Sequence, residues 1–259
     1  MKNYSFSTAA LFPFETEDAL RMIGQAGFEN AELMPQAYSD VSDKSTLKFE
    51  KAGVHVSSVH YPLVMFGFLY TAHKTMIQDG RDYSRELLRM TSRLGAKVLV
   101  AHAHKPDKPE YREMMDAPIL DNLRWLAEEC AKSGTTLAME NSAKTCATAP
   151  ELLEYIKLLG HDNVKPMVDI NHVREAGGNP AEFLRQLNPC HLHLSDSGAA
   201  GYHLPPGSGD TDWLSVRSAL DGYSGCYTVE PSRYYYLEDT ISSMHRDLMF
   251  MQSVFEVIR

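Results

Sequence analysis

Short apolar runs alternate along the chain with stretches of helical periodicity, at intervals of roughly thirty residues. Runs of this kind are typical of buried parallel strands, and eight such strand and helix units can be counted. The predicted strands cover residues 4–8, 30–34, 54–60, 97–102, 135–140, 164–169, 190–194 and 226–230. The pattern therefore predicts an α/β fold, a (β/α)₈ TIM barrel with outer helices, as a single domain over residues 1–259.

The helices between these strands are expected to begin and end at recognisable capping residues. Thr16 is expected to cap the first helix, whereas Gly95 and Gly134 are expected to end two later helices. Pro180 fits the first turn of another helix. Predicted helices cover residues 83–94, 119–133 and 237–258.

Three predicted connections are long, over residues 62–80, 103–116 and 195–212. Loops of that length usually belong to a functional face. The first of them contains an apolar run from Pro62 to Tyr70, which we interpret either as a lid over a substrate or as a contact between subunits of a homo-oligomer.

Composition and charge narrow the function classes. The chain is 44% hydrophobic and 23% charged, as expected for a globular protein, and no run of eighteen apolar residues predicts a membrane span. The N-terminal residues do not resemble a secretory signal, so we expect a cytoplasmic protein. The four cysteines are scattered and are expected to be reduced thiols. A net charge of −9 disfavours nucleic acid as a partner and leaves a small-molecule substrate as the expected one.

Ionisable residues lie at the ends of six predicted strands: His60, His102, Glu140, Asp169, His193 and Glu230. The carboxyl ends of the strands of a parallel barrel meet at one rim, where active sites of such barrels are built. Folding is therefore expected to bring these side chains together. The alternative is that each is a polar strand end exposed to solvent.

Four of these residues form a candidate metal site: Glu140, Asp169, His193 and Glu230. Three carboxylates and one imidazole suit Mn²⁺, Zn²⁺, Co²⁺ or Mg²⁺. Three carboxylates packed together would repel one another, and a divalent metal ion would allow all three to stay ionised.

The motifs around these residues resemble a known family. They are AMEN at residues 138–141, VDINH at 168–172, HLHLSD at 191–196 and VEP at 229–231. Together they are similar to the xylose isomerase-like barrels, a superfamily of sugar and sugar-phosphate isomerases and epimerases that also contains endonuclease IV. The resemblance implies that the four residues named above ligate the metal, and that Glu140 and Glu230 exchange protons with a substrate carbon next to a metal-bound carbonyl.

The same resemblance assigns roles to further histidines. It implies that His172 contacts substrate or a second ion, and that His203, in the loop after strand seven, points back toward the site. His60 and His102 match positions of extra zinc ligands in endonuclease IV. In a sugar isomerase, these four histidines would bind the substrate.

The leading hypothesis is thus a metal-dependent isomerase or epimerase of a sugar, sugar phosphate or cyclitol. A cyclitol dehydratase, an endonuclease IV-like zinc phosphodiesterase and a barrel that binds its ligand without catalysis are the alternatives. Gly201 stands where the nuclease has an aspartate ligand. Residues 197–200 stand where ketose epimerases have an arginine, so a ketose 3-epimerase is not assigned.

Two other side chains admit two interpretations each. Arg233 follows Glu230 closely and either binds a phosphate or carboxylate of the substrate or is an ordinary exposed arginine. His191 points to the same side of its strand as His193 but one layer deeper, and we favour a hydrogen-bonded core role over metal ligation.

Overall fold

Ten strands are present in the computed structural model, which describes residues 2–106 and 108–256. They are β1 (Asn3–Ser7), β2 (Asn30–Leu33), β3 (His55–His60), β4 (Val98–His102), β5 (Thr136–Glu140), β6 (Val164–Asp169), β7 (His191–Leu194), β8 (Asp196–Gly198), β9 (Gly201–Leu204) and β10 (Cys226–Val229). Strands β1 to β7 and β10 form a closed parallel barrel in which β10 lies between β7 and β1. The predicted (β/α)₈ barrel is confirmed, and every predicted strand agrees with the observed one to within one residue at each end.

Helices follow the strands on the outside of the barrel. They are α1 (Thr16–Gln25), α2 (Asp43–Phe49), α3 (Phe66–Leu69), α4 (Lys74–Arg93), α5 (Pro109–Ser133), α6 (Ala149–Leu159), α7 (Ile170–Glu175), α8 (Pro180–Arg185), α9 (Trp213–Ala219) and α10 (Thr240–Phe255). Among the described residues, none of these helices combines the length and the apolar character needed to cross a bilayer.

Two helices begin much earlier than predicted. Helices α4 and α5 begin at Lys74 and Pro109, so most of the predicted connections over 62–80 and 103–116 is helical, although Asp107 lies outside the described residues. Their first turns are largely exposed and therefore carry no apolar stripe from which a helix could be recognised. The predicted end of the last helix, Ile258, also lies outside the described residues.

The predicted helix ends are confirmed at Gly95 and Gly134, which adopt φ values of +81° and +70° after α4 and α5. The predicted cap at Thr16 is wrong. Glu15 occupies the N-cap position of α1, and the Thr16 hydroxyl instead donates a hydrogen bond to Asp40 Oδ2 at 2.8 Å. This bond ties α1 to the turn after β2, and it could not be inferred from the local sequence.

The inside of the barrel has an apolar side and a polar side. Val100, Ala138 and Met167 form a small buried cluster, separate from the main core between barrel and helices. Each lies two residues before a strand's last residue, on the same face. On the opposite side of the barrel the buried residues at this depth are polar and include Ser5, Ser58, His191 and Thr228. The candidate functional residues therefore rest on an apolar layer on one side and on a hydrogen-bonding layer on the other.

A buried carboxylate links the last helix to the segment that follows β10. Asp247 on α10 accepts a 2.6 Å hydrogen bond from the Tyr236 hydroxyl, and the Tyr236 ring packs edge-on against Phe6 of β1. Burial raises the pKa of the Asp247 carboxyl to about 7, although the Tyr236 hydrogen bond acts in the opposite direction. Because the folded protein holds this proton more tightly than the unfolded chain, Asp247 makes the protein less stable as the pH rises from about 4 to about 7.

Asp247→Asn should remove this pH dependence, because the amide oxygen still accepts the Tyr236 hydrogen bond but carries no charge. As the pH rises from about 4 to about 7, the free energy of unfolding of the variant should increase relative to that of the wild type by up to about 1.4 kcal/mol per pH unit. Urea unfolding of both proteins at several pH values measures this difference. A difference that stays constant with pH would show that Asp247 keeps an ordinary pKa.

Candidate functional site

Four predicted site residues converge at the carboxyl end of the barrel. Glu140 and Asp169 end β5 and β6, His193 lies in β7, and Glu230 follows β10 directly. One ligand atom from each of the four lies within 4.8 Å of the others. Glu140, Asp169 and His193 are at most 1% exposed and Glu230 is partly buried, so the alternative of exposed strand ends is wrong.

His193 lies at the centre of this group. Its Nδ1 atom is 3.1 Å from Glu140 Oε1 and 2.7 Å from Glu230 Oε2. The second Glu230 oxygen accepts a hydrogen bond from the Ser7 hydroxyl at 3.0 Å. The imidazole thus lies between two carboxylates that come from non-adjacent strands.

Asp169 is oriented by two asparagines. Its backbone exchanges hydrogen bonds of 2.8 and 3.1 Å with the side chain of Asn141, and its Oδ1 atom accepts a 2.7 Å bond from the backbone amide of Asn171. The asparagines of the AMEN and VDINH motifs therefore both hold Asp169, Asn141 from the neighbouring strand and Asn171 from the start of α7.

The protonation of these groups follows from their mutual contacts. Burial alone would raise the pKa of Glu140, but His102 and His193 outweigh it and hold the pKa well below its usual range. The pKa of Glu230 is lowered in the same way by His193. Burial lowers the pKa of His193, but Glu230, Glu32 and Glu140 raise it well above the ordinary histidine value. In this arrangement the imidazolium is the cation that balances the carboxylates.

Two buried carboxylate oxygens of this group, Glu140 Oε2 and Asp169 Oδ2, accept no hydrogen bond of suitable geometry from the described residues. A buried carboxylate oxygen without a donor is costly, and a cation satisfies it. The four residues offer three hard oxygen donors and one imidazole, and this set fits a divalent metal ion of the kind predicted from the sequence.

A second pair of histidines lies beside Glu140. The Nε2 atoms of His60 and His102 are 3.4 and 3.0 Å from Glu140 Oε2 and 3.3 Å from each other. His60 Nδ1 is 2.7 Å from the carbonyl oxygen of Tyr61, so this nitrogen is the donor and Nε2 is free to act as a ligand atom. These three residues form a separate group with ligand spacing.

His172 and His203 lie on the other side, next to Asp169, and form a third group with it. His203 is held by its own backbone: its amide donates to Asn171 Oδ1 at 2.8 Å and its carbonyl accepts from Ser232 at 2.7 Å. Its φ value of +52° is unusual for a residue other than glycine. The expectation that His203 points back toward the site is confirmed.

The segment after β7 that carries His203 is organised by Asp196. One carboxylate oxygen accepts hydrogen bonds from the amides of Ser197 and Thr211, and the other from Gly207 and the Trp213 indole. The aspartate of the HLHLSD motif therefore shapes the loop and does not line the cavity. The predicted connection 195–212 contains the antiparallel hairpin of β8 and β9.

Glu140 and Glu230 form the floor of a cavity of about 430 Å³. Its wall includes His60, His102, His172 and His203, with Leu63, Tyr202, Arg233 and Tyr234 toward the exposed rim. Arg233 lies over the rings of Phe12 and Tyr234, at 4.9 and 5.2 Å from their centroids. No carboxylate among the described residues pairs with its guanidinium.

The apolar run from Pro62 to Tyr70 folds as a 3₁₀ turn (Leu63–Met65) followed by α3. The Phe66 ring lies 5.1 Å from the His102 ring, and Asn122 of α5 donates to the carbonyls of Phe68 and Leu69. The second half of the run is thus fixed to the barrel helices, while Leu63 and Val64 are exposed.

One buried residue of the site was not predicted. Glu32 of β2 is fully buried and contacts both histidines of β7. The signal was available, because Glu32 is a lone charged residue between Ala31 and Leu33 in a predicted apolar strand. Its contact with His191 agrees with the hydrogen-bonded core role expected for that histidine.

The chain matches a protein family and is similar in fold to several solved structures. The family model described as xylose isomerase-like TIM barrel matches residues 18–253. No curated protein sequence gives a significant match. D-psicose 3-epimerase from Clostridium cellulolyticum H10, solved with D-tagatose, has a TM-score of 0.78 at 17% identity, over 99% of this chain and 100% of that one.

Two further solved structures are similar. A D-tagatose 3-epimerase-like protein has a TM-score of 0.79 at 22% identity, over 99% of both chains. The 3-keto-D-glucoside 4-epimerase from E. coli has a TM-score of 0.77 at 20% identity, over 98% of this chain and 100% of that one. At these identities the likeness concerns the fold.

Proposed function

Because the chain belongs to the xylose isomerase-like TIM barrel family, we propose that it is a metal-dependent isomerase or epimerase acting on a sugar, sugar phosphate or cyclitol. The observation that carries the proposal is the convergence of ligand atoms of Glu140, Asp169, His193 and Glu230 within 4.8 Å, beside a cavity that Glu140 and Glu230 line and that is large enough for a small polyhydroxylated molecule. The sugar epimerases among the structurally similar proteins support the same class of reaction.

The four converging residues would hold the metal, and the unpartnered oxygens of Glu140 and Asp169 support this role. A bound divalent ion supplies Lewis acidity next to the carbonyl group of the substrate. Manganese, zinc, cobalt and magnesium ions all accept this donor set.

Glu140 and Glu230 are the proposed acid and base. Both line the cavity, and they approach His193 Nδ1 from different strands. Their lowered pKa values keep both carboxylates ionised and able to accept a proton. One carboxylate removes a proton from the substrate carbon beside the carbonyl and becomes a carboxylic acid. The other takes up a proton from solvent and delivers it to that carbon or its neighbour. Loss of the first proton to solvent restores both groups. Loss of water after the same proton removal would make the chain a cyclitol dehydratase.

The polar residues of the cavity wall would orient the substrate. His60, His102, His172 and His203 present ring nitrogens around the floor and can bind hydroxyl groups. Tyr202 and Tyr234 provide aromatic surface at the rim, on which the apolar face of a sugar ring can pack.

Glu140→Gln and Glu230→Gln should each lower kcat by roughly 10²–10⁴-fold, because each removes one proton-transfer group. The assay is NMR in D₂O with Mn²⁺-loaded protein and D-psicose, D-tagatose, L-ribulose and a 3-keto-D-glucoside, followed by quenching and metal removal. Each variant is expected to retain hydrogen exchange at the reacting carbon of only one of the two epimers.

Glu182→Gln, on the exposed surface of α8, is the matched control and should behave as wild type. Metal titration of each variant separates loss of the metal from loss of proton transfer. Turnover by either active-site variant above about one per cent of the wild-type rate, at saturating metal, would contradict the assignment.

Arg233 is proposed to bind an anionic group of the substrate, since it lines the rim, is held between two aromatic rings and has no carboxylate partner among the described residues. Arg233→Met should raise KM for a phosphorylated sugar about tenfold, the effect of one charge-assisted hydrogen bond, and leave KM for the neutral sugar nearly unchanged. Steady-state kinetics with a ketose and its phosphate ester measure both. An equal effect on the two substrates would remove the anion-binding role.

A second candidate function is a zinc phosphodiesterase of the endonuclease IV type. It is favoured by the two further ligand groups, His60 with His102 and Glu140, and Asp169 with His172 and His203. Two features oppose it. The net charge of −9 repels a phosphate backbone, and Gly201, which stands in place of an aspartate ligand, has a φ of +127° that L side chains rarely adopt.

Metal stoichiometry distinguishes the two candidates. Purified protein dialysed against zinc or manganese and measured by inductively coupled plasma mass spectrometry should contain one ion per chain if the isomerase proposal holds. Two or more zinc ions per chain, together with cleavage of a duplex containing an abasic site, would favour the phosphodiesterase.

A further inference from the structure

The carboxylate of Glu32 is a fully buried charged group inside the barrel. It is 0% exposed and accepts three hydrogen bonds. Oε1 lies 2.7 Å from His193 Nε2, and Oε2 lies 2.7 Å from His191 Nε2 and 2.9 Å from the Ser58 hydroxyl. A carboxylate in this position therefore bridges the two histidines of β7 from the far side of the barrel.

These contacts determine which nitrogen of His193 faces the site. An ionised carboxylate can only accept hydrogen bonds, so the Nε2 atom that touches Glu32 must carry a hydrogen. The opposite nitrogen, Nδ1, is the one that faces Glu140 and Glu230. Nδ1 is thus the nitrogen from which a metal ion would displace a proton, and its electron pair would then face the centre of the proposed metal site.

Burial of the Glu32 carboxylate has a cost in free energy that requires an explanation. A carboxylate with no exposure loses its hydration, and hydrogen bonds only partly offset that loss. An apolar residue at position 32 would fill the barrel without this penalty. The charge is therefore not explained by stability of the fold, whereas orientation of a neighbouring functional ring accounts for it.

We propose that Glu32 is a positioning residue that fixes His193 in its Nε2–H tautomer and directs Nδ1 to the metal. The inference rests on the proposed function, in which His193 is a metal ligand. His191 has a supporting role: its hydrogen bond to the second oxygen of Glu32, together with that of Ser58, prevents the carboxylate from turning away from His193. Carboxylate partners of this kind tune ligand histidines in metal sites generally.

Glu32→Gln tests the proposal with little change in shape. The amide has one acceptor oxygen and one NH₂ group, so it can no longer accept from both histidines. The affinity for Mn²⁺, measured by isothermal titration calorimetry without substrate, should fall roughly 10–100-fold. Asp247→Asn is the matched control, because it also converts a buried carboxylate to an amide but lies on α10, and it should bind Mn²⁺ as wild type does.

The tautomer can be observed directly in the wild type. In ¹H–¹⁵N long-range spectra of histidine-labelled protein loaded with Zn²⁺ or Mg²⁺, His193 should carry its hydrogen on Nε2. This measurement decides the question even if Glu32→Gln does not fold. A hydrogen on Nδ1, or unchanged Mn²⁺ affinity in a folded Glu32→Gln variant, would overturn the proposal.

The outcomes separate this inference from the function on which it rests. A wild type that binds Mn²⁺ and turns over a sugar, alongside a Glu32→Gln variant with equal metal affinity, would leave the proposed function intact and remove only the role of Glu32. A wild type that binds no divalent ion would overturn both.

Discussion

The structure at the carboxyl end of the barrel strands depends on one constraint, which is that its buried negative charges must be compensated. Four carboxylates, those of Glu32, Glu140, Asp169 and Glu230, surround a single imidazole inside a structure that excludes most of the surrounding water. Like charges at such distances oppose folding unless cations or hydrogen-bond donors face them. His193 faces three of the four carboxylates, and for this reason its position governs the geometry of the whole group.

The neighbouring elements are arranged to serve that group. Asn141 and Asn171, each following a carboxylate-bearing strand end, hold Asp169 from both sides. Ser7 of β1 donates to Glu230, and Ser58 of β3 donates to Glu32. Small hydroxyl residues at these inward positions leave room for the longer acidic side chains and satisfy their oxygens. The apolar cluster of Val100, Ala138 and Met167 fills the barrel only on the side where no such donors are needed.

Much of this could be predicted from the sequence, for reasons that differ between features. Strand positions were predictable because buried parallel strands are continuous apolar runs, and the site residues because they end those runs. The starts of α4 and α5 were not, because their first turns are exposed and have no apolar stripe. The bond of Thr16 to Asp40 depends on a contact 24 residues away, which local capping rules do not contain. Glu32 was missed because its partners, His191 and His193, lie about 160 positions further along the chain.

The hairpin of β8 and β9 has a consequence for how such a protein can diversify. Asp196 accepts hydrogen bonds from the amides of Gly207 and Thr211, which follow β9, and the amide of Asp210 donates to the Ser197 carbonyl at 2.9 Å. The segment is therefore closed at its base independently of its tip. Tyr202, next to the turn of the hairpin, lines the cavity rim. Insertions or exchanges at the tip can therefore change which molecules enter the cavity while the geometry of the four converging ligands stays the same. The loop after β7 can therefore vary in sequence and length, and the range of substrates can change with it, while the barrel stays the same.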